Sequence, residues 1–253
     1  MKAIILAAGT GSRLRPLTNE TPKCLVEVND KKLLEYQLSV LKANSKIEEI
    51  IIITGYLGEQ LAPYGDKTIH NDKFDSTNMV FSLFAAYGEI KGDVLLAYGD
   101  IVYSPEILNT VLESTGDISI AVDSNWYEYW QQRFEDPLVD AETLKLNGDN
   151  IIEIGKKPKD LSEIEGQYMG LMKFNETGSE ILRKKLREIF FEDSQTSKLN
   201  ENSYMTDLLE ELIEDGEVLT AVCHKGDWVE VDNFDDLNLR ETKKRLERIS
   251  RHE

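Results

Sequence analysis

Residues 1–23 read MKAIILAAGTGSRLRPLTNETPK, and they decide the fold. Ala3 to Ala8 form a continuous apolar run of the kind that buried parallel strands require. The loop that follows holds Gly9, Gly11, Arg13 and Lys23. Ligands of open α/β sheets bind beyond the carboxyl ends of the strands, and this loop lies at such an end. Gly9 and Gly11 let backbone amides approach phosphates that a Cβ would obstruct. Arg13 can make bidentate contacts to phosphate oxygens, and Lys23 adds a mobile point charge. Pro16 and Pro22 stiffen the segment between the two cations. The dinucleotide fingerprint fails, because Leu14 stands at its third glycine and the second strand ends in Thr54-Gly55-Tyr56 without an acidic residue. The P-loop fails for want of Gly-Lys-Ser/Thr. A surface turn with solvated cations is the bland alternative.

Outward from this loop, strand-like and helix-like stretches alternate. KLLEYQLSVLKAN carries Leu34, Leu38 and Leu41 at helical spacing, EIIIITGY follows from Glu49, and a helix-like NMVFSLFAAYGEI starts at Asn78. DVLLAYGD, SPEILNTVLES and DISIAV then predict strand, helix and strand. Such alternation indicates a sheet covered by helices on both faces. After Val122 the pattern changes. TLKLNGDNIIEIG reads as a hairpin turning at residues 147–150, GQYMGLMKF and EVLTAVCHKGDWVEV as strands, and the tail from Phe234 as one charged helix. The expected fold is a single α/β domain with a mostly parallel sheet and an antiparallel excursion in its second half.

Composition narrows the partners. Lys plus Arg total 29 against 47 Asp plus Glu, a formal net charge of −18. Such a polyanion disfavours nucleic acid and anionic membrane as partners, so the cationic loop is a local exception. Cys24 and Cys223 form neither a disulfide framework nor a zinc pattern and are read as reduced thiols of a cytoplasmic protein. No stretch predicts a membrane span. His70, His224 and His252 are isolated, and no nucleophile–histidine pairing is evident.

LAAGTGSRLRPLT followed by Pro22-Lys23 resembles the signature loop of the superfamily of sugar-1-phosphate nucleotidyltransferases and phosphocholine cytidylyltransferases. The resemblance covers essentially the whole chain. It implies a Rossmann-like mixed sheet flanked by helices, the GT-A-like nucleotidyltransferase fold. Residues 1–122 would be its nucleotide-binding half, 123–233 its acceptor-binding half and 234–253 a C-terminal helix. It also implies that Gly9, Gly11, Ser12 and Arg13 grip a triphosphate, that Lys23 approaches the α-phosphate, and that Leu6, Ala7 and Ala8 line the nucleotide. Transfer at the α-phosphorus needs charge neutralisation and alignment, for which Mg²⁺ on one or two carboxylates suffices. Asp100 ends the strand in LLAYGD and reads either as a plain Gly-Asp turn or as a metal ligand; the resemblance implies the latter. Asp232 matches the second metal carboxylate, against the alternative of a helix cap before Phe234, and Glu230 shares its strand face.

The acceptor is read from departures. Lys156-Lys157-Pro158 stands where the sugar branch carries Glu-Lys-Pro, which disfavours a hexose. DSTNMVFSL resembles a nucleotide-flanking segment of the phosphocholine branch and implies roles for Thr77, Asn78 and Ser82. A quaternary ammonium is held by aromatic faces and carboxylates. Tyr168 in GQYMG, Trp130 in WYEYW, Glu230, Glu135 and Asp136 are candidates, the WYEYW aromatics being equally readable as core or as a contact between copies. Lys156 is a candidate for an acidic acceptor. The expected activity is transfer of a nucleoside monophosphate, with CTP favoured, to a small phosphorylated alcohol such as phosphocholine, or to a phosphonate, releasing pyrophosphate. A sugar-1-phosphate nucleotidyltransferase using UTP or dTTP is the enzymatic rival. A nucleotide-binding regulatory protein is the non-enzymatic one, disfavoured because Arg13, Lys23, Asp100 and Asp232 are all present. Association of copies through WYEYW or the tail stays open.

Overall fold

The computed structural model describes residues 1–191 and 197–251. Its strands are β1 (Lys2–Ala7), β2 (Glu27–Val28), β3 (Lys31–Lys32), β4 (Glu49–Thr54), β5 (Lys67–His70), β6 (Val94–Tyr98), β7 (Ile101–Tyr103), β8 (Ile118–Asp123), β9 (Leu144–Asn147), β10 (Asn150–Ile154), β11 (Gln167–Phe174), β12 (Leu219–His224) and β13 (Trp228–Glu230). The helices are α1 (Leu33–Ala43), α2 (Met79–Ala85), α3 (Pro105–Glu113), α4 (Trp126–Arg133), α5 (Glu176–Phe190), α6 (Met205–Glu214), α7 (Phe234–Asn238) and α8 (Arg240–Ser250). Nine strands form one sheet in the order β5-β4-β1-β6-β11-β8-β12-β10-β9.

Strand periodicity builds the layers. Ala3 and Ile5 of β1 face one apolar cluster with α1, α3 and α4, while Ile4 and Leu6 face the other with α2, α5 and α6. Ile50 and Ile52 alternate with Ile51 and Ile53 in the same way on β4. Local signals fix the helix starts. The Ser104 hydroxyl accepts the Ile107 N–H ahead of Pro105 at the first turn of α3, and Asn175 accepts the Gly178 N–H at the start of α5.

The sheet is mixed, as expected, but less parallel than the alternation implied. β5, β4, β1 and β6 run parallel, and β8 pairs parallel with β12. β11 runs antiparallel between β6 and β8, and β10 is antiparallel to both β12 and β9. EVLTAVCHKGDWVEV holds two strands in different sheets, because Gly226 and Asp227 take positive φ (70° and 55°) and turn the chain away. β13 then pairs with β7 rather than extending β12. The tail is likewise two helices, α7 and α8. Among the described residues no helix is long and apolar enough to cross a membrane.

Candidate active site

The loop after β1 folds back on itself around Gly11. Gly11 has φ 61°, and a Cβ there would lie 2.9 Å from Lys23 Cβ and 3.0 Å from Thr18 Cγ2. The Thr18 hydroxyl donates to the Gly11 carbonyl at 2.8 Å. Buried Leu14, Cys24 and Leu25 anchor the loop in the core. Positive φ and close approach together explain why glycine stands at position 11. Gly9 differs, since nothing lies within 4 Å of where its Cβ would be. A side chain there would project into the open cavity in front of the loop.

A second device brings in the carboxylates. Gly99 lies against β1, its N–H on the Leu6 carbonyl at 2.9 Å, so the chain leaves β6 directly beside the loop and presents Asp100. β7 pairs with β13, and the Val231 N–H donates to the Asp100 carbonyl at 3.1 Å, which sets Asp232 next to Asp100. Lys23 Nζ bridges the two, 2.6 Å from Asp100 Oδ2 and 2.5 Å from Asp232 Oδ1. Arg13 Nη1 lies 2.5 Å from Asp232 Oδ2. Burial alone would depress the Lys23 ammonium, but Asp100 and Asp232 hold its pKa above the ordinary lysine value. For Asp232, burial works against the charge and Lys23 and Arg13 reverse it, keeping the carboxyl below its usual range.

Asp232 is not the helix cap. Asn233 takes that role, accepting the Asp235 and Asp236 N–H groups at the start of α7 and leaving the Asp232 carboxylate to the site. Asp100 Oδ1 is buried with no hydrogen-bond partner. An orphaned carboxylate oxygen beside a second carboxylate fits a hard divalent cation that takes its other ligands from phosphates and water. Among the described residues no group of three or more His, Cys, Asp or Glu could hold a metal alone.

These residues line a cavity of about 350 Å³. Leu6, Ala7, Ala8, Gly9, Gly11 and Ser12 form one wall, and Thr77, Asn78 and Ser82 another. The second wall is organised by buried Asn71, a residue the sequence did not flag. Its Nδ2 lies 3.1 Å from both Thr77 Oγ1 and Ser82 Oγ. Asn78 caps α2 by accepting the Met79 N–H. Cys24 also lines the cavity, and burial, then Asp100, pushes its thiol up to about 12, so it is no nucleophile. His70 contacts Thr54, His224 ends β12, and His252 lies outside the described residues.

An adjoining cavity of about 180 Å³ shares Met79, Tyr98, Glu230 and Asp232 with the first. Tyr168 and Trp130 line it, with Asp140 and Glu142 as acidic walls the sequence did not single out. Trp130 donates its indole N–H to Asp140 Oδ2 at 3.0 Å. The rest of WYEYW divides, with Trp126 and Tyr129 in the core and Tyr127 exposed. Glu135 and Asp136 line neither cavity, and Asp136 instead accepts the Leu138 N–H. Lys156 lines neither; its ammonium pairs with Glu210 at 2.5 Å and Glu153 at 3.3 Å. Burial raises Glu142 to about 7, opposed by the Thr206 hydroxyl hydrogen-bonded to it. Burial likewise pushes Glu230 to about 7, against the attraction of Arg133.

The floor of this second cavity depends on Gly170. A bulge in β11 between Tyr168 and Met172 places it at φ 75°, where a Cβ would lie 2.7 Å from the Tyr98 ring. Tyr98 and Tyr168 meet edge to face at 5.7 Å. Gly170→Ala is therefore expected to destabilise the protein by about 1–2 kcal/mol, read by urea unfolding, because the residue must adopt a left-handed conformation and displace the Tyr98 ring.

A glycine-containing loop with Arg13 and Lys23 at a strand end, facing paired carboxylates bridged by the lysine, is the arrangement expected of a nucleotidyltransferase. Residues 3–149 match the MobA-like NTP transferase domain, and the chain belongs to that family. It is 41% identical over 253 residues to the CTP:phosphoglutamine cytidylyltransferase of Campylobacter jejuni, covering 95% of this chain and 99% of that one. The structure of the CTP:phosphocholine cytidylyltransferase of Streptococcus pneumoniae superposes with a TM-score of 0.74 at 25% identity, over 96% of this chain and 97% of that one. The inositol-1-phosphate CTP transferase of T. maritima has the same fold, with a TM-score of 0.76 at 20% identity over 98% and 96% of the two chains.

Proposed function

We propose that the protein transfers CMP from CTP to the phosphate of a small acceptor that also carries a cationic nitrogen, with phosphoglutamine the first candidate and phosphocholine the second. The observation that carries this reading is the meeting of two cavities across Tyr98, Glu230 and Asp232, beside the Lys23 bridge. The larger cavity would take the nucleotide and the smaller the acceptor. An oxygen of the acceptor phosphate attacks the α-phosphorus, the bond from that phosphorus to the bridging oxygen of the β-phosphate breaks, and pyrophosphate leaves with the electron pair. Arg13 and Lys23 neutralise the two anions that must come together, and the loop amides align the triphosphate. Asp100 and Asp232 would hold Mg²⁺, which supplies further charge neutralisation on the triphosphate.

The acidic and aromatic lining of the smaller cavity supports an ammonium-bearing acceptor. Asp140, Glu142 and Glu230 offer negative charge, and Tyr98, Tyr168 and Trp130 offer ring faces. The test is pyrophosphate release with Mg²⁺, crossing CTP, UTP and dTTP against phosphoglutamine, phosphocholine, aminoethylphosphonate and glucose-1-phosphate. Turnover with CTP and a nitrogen-bearing acceptor supports the reading. Turnover confined to glucose-1-phosphate overturns it.

A pH dependence follows from Glu142. Burial favours its protonated form, with Asp140 and Asp207 adding to the rise and Thr206 and Lys157 opposing it. The charge that would pair with an ammonium thus develops as pH rises through about 7. The acceptor KM is expected to fall between about pH 6 and pH 8 in the native enzyme. Glu142→Gln should raise that KM about tenfold at pH 8 and reduce the fall, the remainder coming from Glu230 in the same cavity, read by steady-state kinetics at both pH values. A native KM that is lower at pH 6 would contradict this role for Glu142.

A further inference from the structure

Arg133, the last residue of α4, is a guanidinium with no side-chain exposure to solvent. It lies about 5 Å from the ring centres of Tyr129, Trp130 and Phe134. Its fork meets Asp236 twice, Nε to Oδ1 at 2.9 Å and Nη2 to Oδ2 at 3.2 Å. Its remaining arm donates from Nη1 to Glu230 Oε2 at 2.7 Å. Asp236, itself 1% exposed, passes the contact on, because its Oδ2 also accepts the backbone N–H groups of Asp232 at 2.9 Å and Asn233 at 3.1 Å. One guanidinium thus fixes the side chain of Glu230, which lines both cavities, and the backbone from which the Asp232 carboxylate projects. A buried ion network adds little net stability over apolar packing of the same volume, so stability alone is a weak reason for it.

We infer that Arg133 and Asp236 are positioning residues for the reaction, a buried strut that holds Asp232 in register with Asp100 and Lys23 and ties it to Glu230 of the acceptor cavity. The inference rests on the proposed metal role of Asp232. Neither residue touches the reacting groups; both act through the orientation of Asp232. Groups that orient metal ligands change metal affinity or activity by about 10–100-fold when replaced. A lysine keeps the charge at position 133 but cannot make the three directed hydrogen bonds. An asparagine at position 236 turns an acceptor of the Arg133 fork into a donor.

The test compares the native protein with Arg133→Lys, Asp236→Asn and the double variant. Trp126→Leu serves as a packing control in the same aromatic cluster, where its ring meets that of Trp130 at 6.0 Å. Two quantities are read: the Mg²⁺ concentration giving half-maximal turnover, and the rise in Tm that Mg²⁺ produces with CTP when no acceptor is present. Both single variants are expected to need about tenfold more Mg²⁺ and to lose most of the Mg²⁺-dependent rise in Tm, with the CTP KM at saturating Mg²⁺ within about threefold of native. The double variant should be no worse than the poorer single one, since the pair acts as a unit. Trp126→Leu should lower Tm and leave the Mg²⁺ response unchanged. Variants that lose Tm but keep the native Mg²⁺ response overturn the positioning role alone, as does loss of the folded state in both single variants. A native protein with no Mg²⁺ response overturns the metal role of Asp232 and this inference with it.

Discussion

Asp232→Asn is expected to lower kcat by about three orders of magnitude, with a much smaller change in the KM for CTP. Asp232 receives two cations, Lys23 on one oxygen and Arg13 on the other. The amide keeps the size of the side chain, and its backbone N–H keeps its bond to Asp236. What is lost is one negative charge from the group that would hold the cation and that orients Lys23. Lys23 would then lean on Asp100 alone, and Arg13, with 64% of its side chain exposed, would lose its anchor. Pyrophosphate release gives kcat and KM, and circular dichroism shows whether the fold is retained. A variant within tenfold of native turnover would remove Asp232 from the catalytic set.

Lys23→Met is expected to cost about 10²–10³-fold in kcat and, unlike the asparagine variant, to raise the CTP KM about tenfold as well. The ammonium contacts both carboxylates directly, and in the proposed reaction it would neutralise the negative charge of the two phosphates that meet there. Methionine fills the stem and removes the charge. The two carboxylates then lose the lysine that bridges them, with Arg13 still on Asp232, and the site becomes one charge more negative toward an incoming triphosphate. Steady-state kinetics with CTP separates the two parameters. A changed KM with native kcat would assign Lys23 to nucleotide binding alone.

The parts of the fold that could be read from sequence are those whose cause is local. β1, β4, β6 and β8 are apolar runs of strand length, and β9–β10 is a hairpin turning at Gly148, whose φ of 62° needs a residue tolerant of that conformation. β5 and β7 were missed because Lys67–His70 is polar and exposed, and Ile101–Tyr103 is only three residues long. The insertion of β11 between β6 and β8 is a long-range pairing that no periodicity encodes. The break between β12 and β13 is not evident in the sequence, because Lys225, Gly226 and Asp227 sit between two good strand patterns.

Legibility of the site follows the same division. Arg13 and Lys23 stand in a loop whose cations suggest their chemistry, whereas Asp100 and Asp232 are marked only by the family resemblance, and the structure brings those four together. Asp140, Glu142, Asn71 and Arg133 carry no such mark. Arg133 ends an ordinary polar helix turn in sequence, and only its bonds to Asp236 of α7 and Glu230, with the rings around it, make its guanidinium a buried hub. Lys156 shows the converse. A basic pair near a family motif suggests a substrate contact, yet Glu153 three residues earlier and Glu210 on α6 already engage its ammonium.

The central claim is that an acceptor phosphate oxygen in the smaller cavity attacks the α-phosphorus of CTP in the larger one. The most direct measurement uses an acceptor whose phosphate oxygens are ¹⁸O, with the products followed by phosphorus NMR. The account predicts a CDP-linked product with ¹⁸O in its bridging position and pyrophosphate free of label. Free CMP with unlabelled pyrophosphate would mean that water attacks instead, and CMP with a label-bearing acceptor triphosphate would place the attack at the β-phosphorus; either result would contradict the account.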